Sequence, residues 1–261
     1  MNSFALNYSQ KEGYTGIPGN ACGYSHIDEF GILNVTGKTI YANNTRDREL
    51  GIMILSGKGT ITINNESFNI GNRENVFSGL PQAAYIPPKH TFSLSGNGLT
   101  AAFCYSKAKT TGVPRIIRES DIMVAIVGKD NWAREVRTVI PPKGFSENLI
   151  MGETINFPGN WSGTPPHKHE NDNVPVESLH EELYFFKTQK VSDWGIQRTY
   201  SPEREVHELI PLTDNTITLI PWGYHQIVAG PGCMLYYLFF LAGKGNTLCG
   251  FVDPEQKWLL D

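Results

Sequence analysis

From Gly31 onward, apolar and polar positions alternate in short runs: GILNV, KTIYAN, LGIMILSG, GTITINN, ESFNIG, AAYIPP, TFSLSG and LTAAFCYS. They recur about every ten residues and are bounded by Gly, Asn and Pro, which predicts the strands of a sandwich or barrel rather than helices. Asn64-Asn65, between TITI and ESFNI, predicts a two-residue hairpin turn, because Asn tolerates the positive φ such turns require. Residues 111–142 break the rhythm with a charged, less regular pattern ending at Pro141-Pro142. They read as a linker and strap between barrels, with a short helix over Ser120 to Val124. Strands then resume in NLIMGETIN, PPHKHE, EELYFFKT, WGIQRTYS, EVHELIPL, TITLIPWG and GCMLYYLFFLAG. Both halves share a plan of strand, turn, strand and a Pro-bounded turn carrying a histidine, His90 or His225. Two tandem β-barrels follow, over residues 1–110 and 143–261, with residues 1 to about 30 as a glycine-punctuated arm carrying a short strand.

One stretch concentrates the candidate chemistry: TPPHKHENDNVPVESLHEELYFF, from Thr164 to Phe186. His167 and His169 are separated by one residue, so on a strand both imidazoles point the same way. Glu170, Asp172, Glu177, Glu181 and Glu182 offer carboxylate oxygens after them, and His225 follows a Pro-Gly turn far downstream. Three imidazoles and one carboxylate suit Zn, Mn, Fe, Co or Ni, a set that ligand type alone does not narrow. The first half has no HxH and no nearby carboxylate to complete a site around His90. That barrel is expected to be metal-free, serving packing and oligomer contact.

Composition narrows the partners. Apolar residues make up 40% and charged residues 18%, with 26 Gly and 16 Pro, a turn-rich globular balance leaning to all-β. The net charge of −4 and scattered basic residues argue against a nucleic-acid partner. Cys22, Cys104, Cys233 and Cys249 form no CxxC pair, so free thiols are expected. No signal-peptide pattern is present, and the apolar run Met234 to Ala242 is about half of what a membrane span needs. The sequence therefore predicts a cytoplasmic protein with no membrane contact.

The blocks VFSGLPQAAYIPP, GKDNWAREVRTVIPP, GETINFPGNWSGTPPHKHE, ESLHEELYFF, GIQRTY, LIPWGYHQIVAGPGCMLYYLFFLAG and DPEQKW together resemble the bicupin 5-deoxyglucuronate isomerases of myo-inositol catabolism. More distantly they resemble the 4-deoxy-5-ketouronate isomerases of pectin breakdown. The likeness runs from about Arg48 to the end. It implies two cupin barrels (double-stranded β-helix, or jelly-roll), a homo-oligomer, and a metal held by His167, His169, Glu182 and His225. Glu182, rather than Glu181 or Glu177, stands at the family's carboxylate position. The implied reaction is the aldose-ketose conversion of 5-deoxy-D-glucuronate to 2-deoxy-5-keto-D-gluconate. Two departures bear on substrate detail: His180 stands beside the glutamates, and Gln226 replaces the proline that typically follows the last histidine.

Such a reaction moves a proton between neighbouring carbons, for which Glu181, Glu153, Tyr200 and Tyr237 are the candidate carriers. The substrate carboxylate calls for a cation, with Arg198 in GIQRTY the first choice and Lys168 the second, although Lys168 alternates away from the two histidines. Tyr236, Phe239 and Phe240 read as core and cavity wall, and His180 and His207 as solvent-facing. Alternative readings are an isomerase of a related deoxy-ketouronate, a non-catalytic sugar-binding cupin, and a cupin oxygenase.

Overall fold

The computed structural model describes residues 4–37 and 40–261. The first half holds β2 to β10, and β1 (Ala5–Asn7) precedes them. These are β2 (Gly13–Pro18), β3 (Ile27–Val35), β4 (Ile40–Asn44), β5 (Arg48–Ile63), β6 (Glu66–Arg73), β7 (Ala83–Ile86), β8 (Thr91–Gly96), β9 (Leu99–Lys107) and β10 (Arg115–Ile117). They form one sheet in the order β10-β7-β5-β9-β3-β2, from which β6 and the β4–β8 pair branch off β5. The predicted turn is present: Ile63 pairs with Glu66, and Asn64 has φ 53°.

The second half curls between two sheets. Its further strands are β11 (Met123–Val127), β12 (Arg134–Ile140), β13 (Leu149–Asn156), β14 (Trp161–Lys168), β15 (His180–Thr188), β16 (Gly195–Ser201), β17 (Val206–Leu212), β18 (Thr216–Ile220), β19 (Tyr224–Ala229), β20 (Leu235–Gly243) and β21 (Phe251–Val252). One sheet runs β1-β18-β15-β20-β13-β12-β11 and the other β17-β16-β19-β14-β21. The amino-terminal arm thus gives β1 to the carboxy-terminal barrel, pairing Ala5 with Thr218.

Residues 111–142 are not a strap. β10 closes one edge of the first sheet, while β11 and β12 extend the large sheet of the second barrel. The helix expected over Ser120 to Val124 is a single 3₁₀ turn at Glu119–Asp121, because the MVAIV run that follows is β-branched and pairs as a strand. Within β12 and β13, alternation sends successive side chains to different places. Arg137 and Glu153 face the other barrel, where Glu153 meets Arg73, while Val136 and Thr154 lie in the row of Tyr237, on the inner face.

The apolar core follows that alternation. One cluster lies between the barrels and includes Phe30, Met53, Leu183, Phe185, Leu238 and Phe240. A second fills the first barrel with Leu33, Leu50, Ile52, Phe92 and Phe103. A third, with Tyr184, Phe186, Ile220, Leu235 and Tyr237, lines the second barrel.

Candidate metal centre

β14 and β19 place two of the histidines opposite one another, since His167 pairs with His225 across the ladder. His169 follows on the same face as His167, and Glu182 enters from β15 in the facing sheet. One ring nitrogen from each of His167, His169 and His225 lies within 4.8 Å of the others. Glu182 Oε2 is 3.1 Å from both His169 Nε2 and His225 Nε2.

The backbone aims the rings. Nδ1 of His167 lies 3.1 Å from the Pro165 carbonyl, that of His169 2.7 Å from the His180 carbonyl, and that of His225 3.3 Å from the Gly223 carbonyl. A carbonyl only accepts, so Nδ1 donates in each ring and the Nε2 lone pairs are left to converge, as metal-ligating histidines are held elsewhere. His225 Nε2 is fully buried and makes no hydrogen bond of acceptable geometry. Such an orphaned acceptor beside a carboxylate fits a cation ligand.

Electrostatics agree with that polarity. Burial, with His225 and His169 adjacent, pulls His167 down to about 3, so its imidazole is neutral. Burial pushes Glu182 up, yet the adjacent His169 and His225 imidazoles outweigh it and hold the carboxyl well below its ordinary range. Burial likewise lowers His169, but the Glu182 carboxylate reverses the sign and its pKa is raised.

Several other expected site residues sit elsewhere, and the two-residue period of strands explains each case. Thr199 pairs with His225, so Arg198 and Tyr200, one residue either side, face out. Arg198 Nε donates to His207 Nε2 at 3.1 Å, and its guanidinium stacks on the Tyr200 ring at 4.0 Å. Tyr200 hydrogen-bonds Asp253. Lys168 shares that outer face, bound to Glu170 at 2.8 Å. Arg198, Tyr200 and Lys168 line a cleft of about 590 Å³ on the side of the sheet away from His225.

Glu181 and Glu153 are committed to the junction between barrels. Glu181 accepts from the backbone N–H groups of Ser25, His26 and Ile27 at 2.7 to 3.0 Å. Glu153, fully buried, accepts two bonds from Arg73 at 2.9 Å and one from Arg137 at 2.8 Å. His180 is buried rather than solvent-facing, bound to Ser178 and to the Gly245 carbonyl. His207 is exposed.

Tyr237 does lie inside the second barrel, its hydroxyl bonded to Ser162 Oγ. Two further residues there escaped sequence reasoning. Tyr184 stands two residues after Glu182 and therefore on the same face, with its ring 4.8 Å from that of Tyr237. Arg134 lies on β12, on the face of Thr154 and Tyr237. The alternation E-x-Y after Glu182 was a readable signal for Tyr184. Nothing local marked Arg134, whose face depends on its register against β13.

Two tandem all-β barrels, one holding three histidines and a glutamate in its interior, define a bicupin. The fold is shared with solved structures. An IolB-like protein from Salmonella typhimurium LT2 superposes with a TM-score of 0.95 at 20% identity, covering 99% of this chain and 100% of that one. Lactobacillus farciminis oxalate decarboxylase in its formate complex superposes with a TM-score of 0.69 at 9% identity, covering 97% and 89%. Sequence comparison is more specific. The KduI/IolB family matches residues 9–259, and the chain belongs to that family. Among its relatives, the 5-deoxy-glucuronate isomerase of Geobacillus kaustophilus is 32% identical, covering 86% of this chain and 82% of its own length. That of Bacillus subtilis strain 168 is 30% identical, covering 89% and 88%.

Proposed function

We propose that the protein is a metal-dependent aldose-ketose isomerase that interconverts 5-deoxy-D-glucuronate and 2-deoxy-5-keto-D-gluconate in the cytoplasm. The relatives named for this isomerase, similar over most of the chain, carry the choice of reaction. The interior set of His167, His169, Glu182 and His225 supplies the means. These four would hold one divalent transition ion, which when bound polarises a carbonyl and its neighbouring hydroxyl.

The chain's own residues account for the rest. Glu182 is ionised and the Nε2 atoms face inward, so the site is ready to receive a cation without rearrangement. Tyr237 and Tyr184 keep their protons: burial pushes both hydroxyls up, and Glu182 nearby pushes Tyr184 further. Tyr237, bonded to Ser162, is the hydroxyl placed to hydrogen-bond the substrate oxygen on which charge develops. Phe186, Ile220 and Leu235 line the barrel below and keep water from the reacting carbons. The first barrel has Leu50 where the second has Glu182: Glu49 and Glu181 make matching clasps on backbone N–H groups, and the next residue points inward in each. The same reading takes the working form as a homo-oligomer joined through β11.

Turnover in heavy water tests the reaction. Interconversion should run in both directions with no nicotinamide, phosphate or dioxygen, stop when a chelator strips the metal, and leave some deuterium at the former aldehyde carbon. Strict dependence on dioxygen would move the protein to the oxygenase reading. Full metal loading with no reaction on any uronate would leave a sugar-binding cupin.

A further inference from the structure

Arg134 is 9% exposed, yet no carboxylate lies within ion-pair distance of it among the described residues. The other two arginines of comparable burial, Arg73 and Arg137, share Glu153. Arg134 instead spends one nitrogen, Nη1, on the carbonyls of Val127, Trp132 and Thr164 at 3.2 to 3.5 Å. Among the described residues Nε and Nη2 have no hydrogen-bond partner, and they are not among the sealed, unpartnered polar atoms of the interior. A buried guanidinium without a counter-charge is costly to keep, and burial lowers its pKa accordingly.

The free atoms have the right form. Nε and Nη2 are neighbours on one edge of the guanidinium, the edge that grips a carboxylate with two parallel hydrogen bonds. Arg134 itself lies on the inner face of the barrel that holds the three histidines. Arg134 pairs with Asn156, two residues along from the row of Val136, Thr154 and Tyr237. The Tyr184 and Tyr237 hydroxyls are close enough to act on its charge. Asn156, across the ladder, donates Nδ2 to the Asn160 carbonyl and holds the strand beside Arg134.

We propose that Arg134 binds the carboxylate of the substrate, through Nε and Nη2, inside the carboxy-terminal barrel. This rests on the isomerase reading for the identity of the acid, and on geometry for the class: a small organic carboxylate with hydroxyl groups. It also gives a reason why Arg198 and Lys168 are free to engage residues on the outer face.

The test compares wild type with Arg134→Met and Arg134→Lys, all loaded with the same metal. On 5-deoxyglucuronate, kcat/KM should fall about 10²- to 10³-fold in Arg134→Met, the usual penalty for truncating one side of a buried charge pair. Arg134→Lys, which keeps charge but not the fork, should recover part of it. On the neutral analogue with the carboxylate reduced to a hydroxymethyl group, the variants should stay within a few-fold of wild type. The aldonate made by reducing the aldehyde cannot isomerise but keeps the carboxylate. Calorimetry on metal-stripped protein should show it binding wild type and not Arg134→Met. Equal losses on acid and neutral sugar in both variants, or unchanged aldonate affinity, would overturn the assignment. Wild type that binds the aldonate through Arg134 but never turns over the uronate would overturn the isomerase reading and leave the anchor standing.

Discussion

A histidine is aimed here by its backbone. Each of the three rings donates Nδ1 to a carbonyl within its own strand, turn or neighbouring strand, and the acceptors are fixed by chain path rather than by side chains that substitution could move. Replacing His167 and His169 together with alanine should therefore remove the metal outright, leaving Glu182 and His225 too few to hold it. Elemental analysis of the purified double variant checks this, and metal retained at full occupancy would sink the ligand assignment. The convergence of the three histidines was legible because HxH on a strand carries its own geometry, and resemblance pointed to Glu182 among five carboxylates. Which cations face the cavity was not. Whether Arg198 faces His225 or turns away depends on Thr199 pairing with His225, a register made by residues 26 positions apart that no local pattern reveals. Glu153 and Tyr237 look equally plausible in sequence, yet alternation along β13 and β20 sends one between the barrels and the other into the cavity.

At the level of elements, β11 stands apart. All five of its residues are exposed, with Met123 at 55% and Ile126 at 60%, and its outer edge pairs with nothing among the described residues. It carries no charge, proline or bulge, the devices that usually blunt such an edge. An antiparallel partner centred on Ala125 would set Met123 against Val127 and Val124 against Ile126, with the small residue on the two-fold axis. The same register brings Asp121 of one copy across from Lys129 of the other. A second copy of this chain is thus the occupant that the edge fits, in an isologous pairing that closes at two strands. Ile126→Lys should shift the mass measured by light scattering from dimer to monomer at micromolar concentration, with kcat little changed. A monomeric wild type, or an Ile126→Lys variant of unchanged mass, would rule the edge out. The sequence hid this element because a five-residue apolar run between charged turns reads equally as strap or strand until β12 is seen beside it.

On the scale of the whole molecule, the two barrels are locked by charges that the chain repeats on either side. Glu49 of the first barrel accepts from the N–H groups of Glu147, Asn148 and Leu149, where the second barrel begins. Glu181 of the second returns the same clasp on Ser25, His26 and Ile27 of the first. Between them Glu153 joins Arg73 to Arg137 across the junction, with no exposure to solvent. Tandem barrels were readable from the repeated plan, but not this docking, since each carboxylate finds its partners across the interface between them. Arg137 keeps Glu135 at 2.6 Å, but Arg73 pairs with no other carboxylate among the described residues, so Glu153→Ala strands the Arg73 guanidinium in an apolar interface alongside Phe77 and Tyr236. The expected loss of stability is about 3–5 kcal/mol, the usual result of removing one partner from a buried pair. Chemical denaturation measures it directly. Glu153→Gln, which keeps the shape and one acceptor, should lose less. If Glu153 holds the barrels together and takes no part in proton transfer, the folded fraction of either variant should keep near wild-type kcat and its metal. A Glu153→Gln protein as stable as wild type but inactive would return this residue to the chemistry.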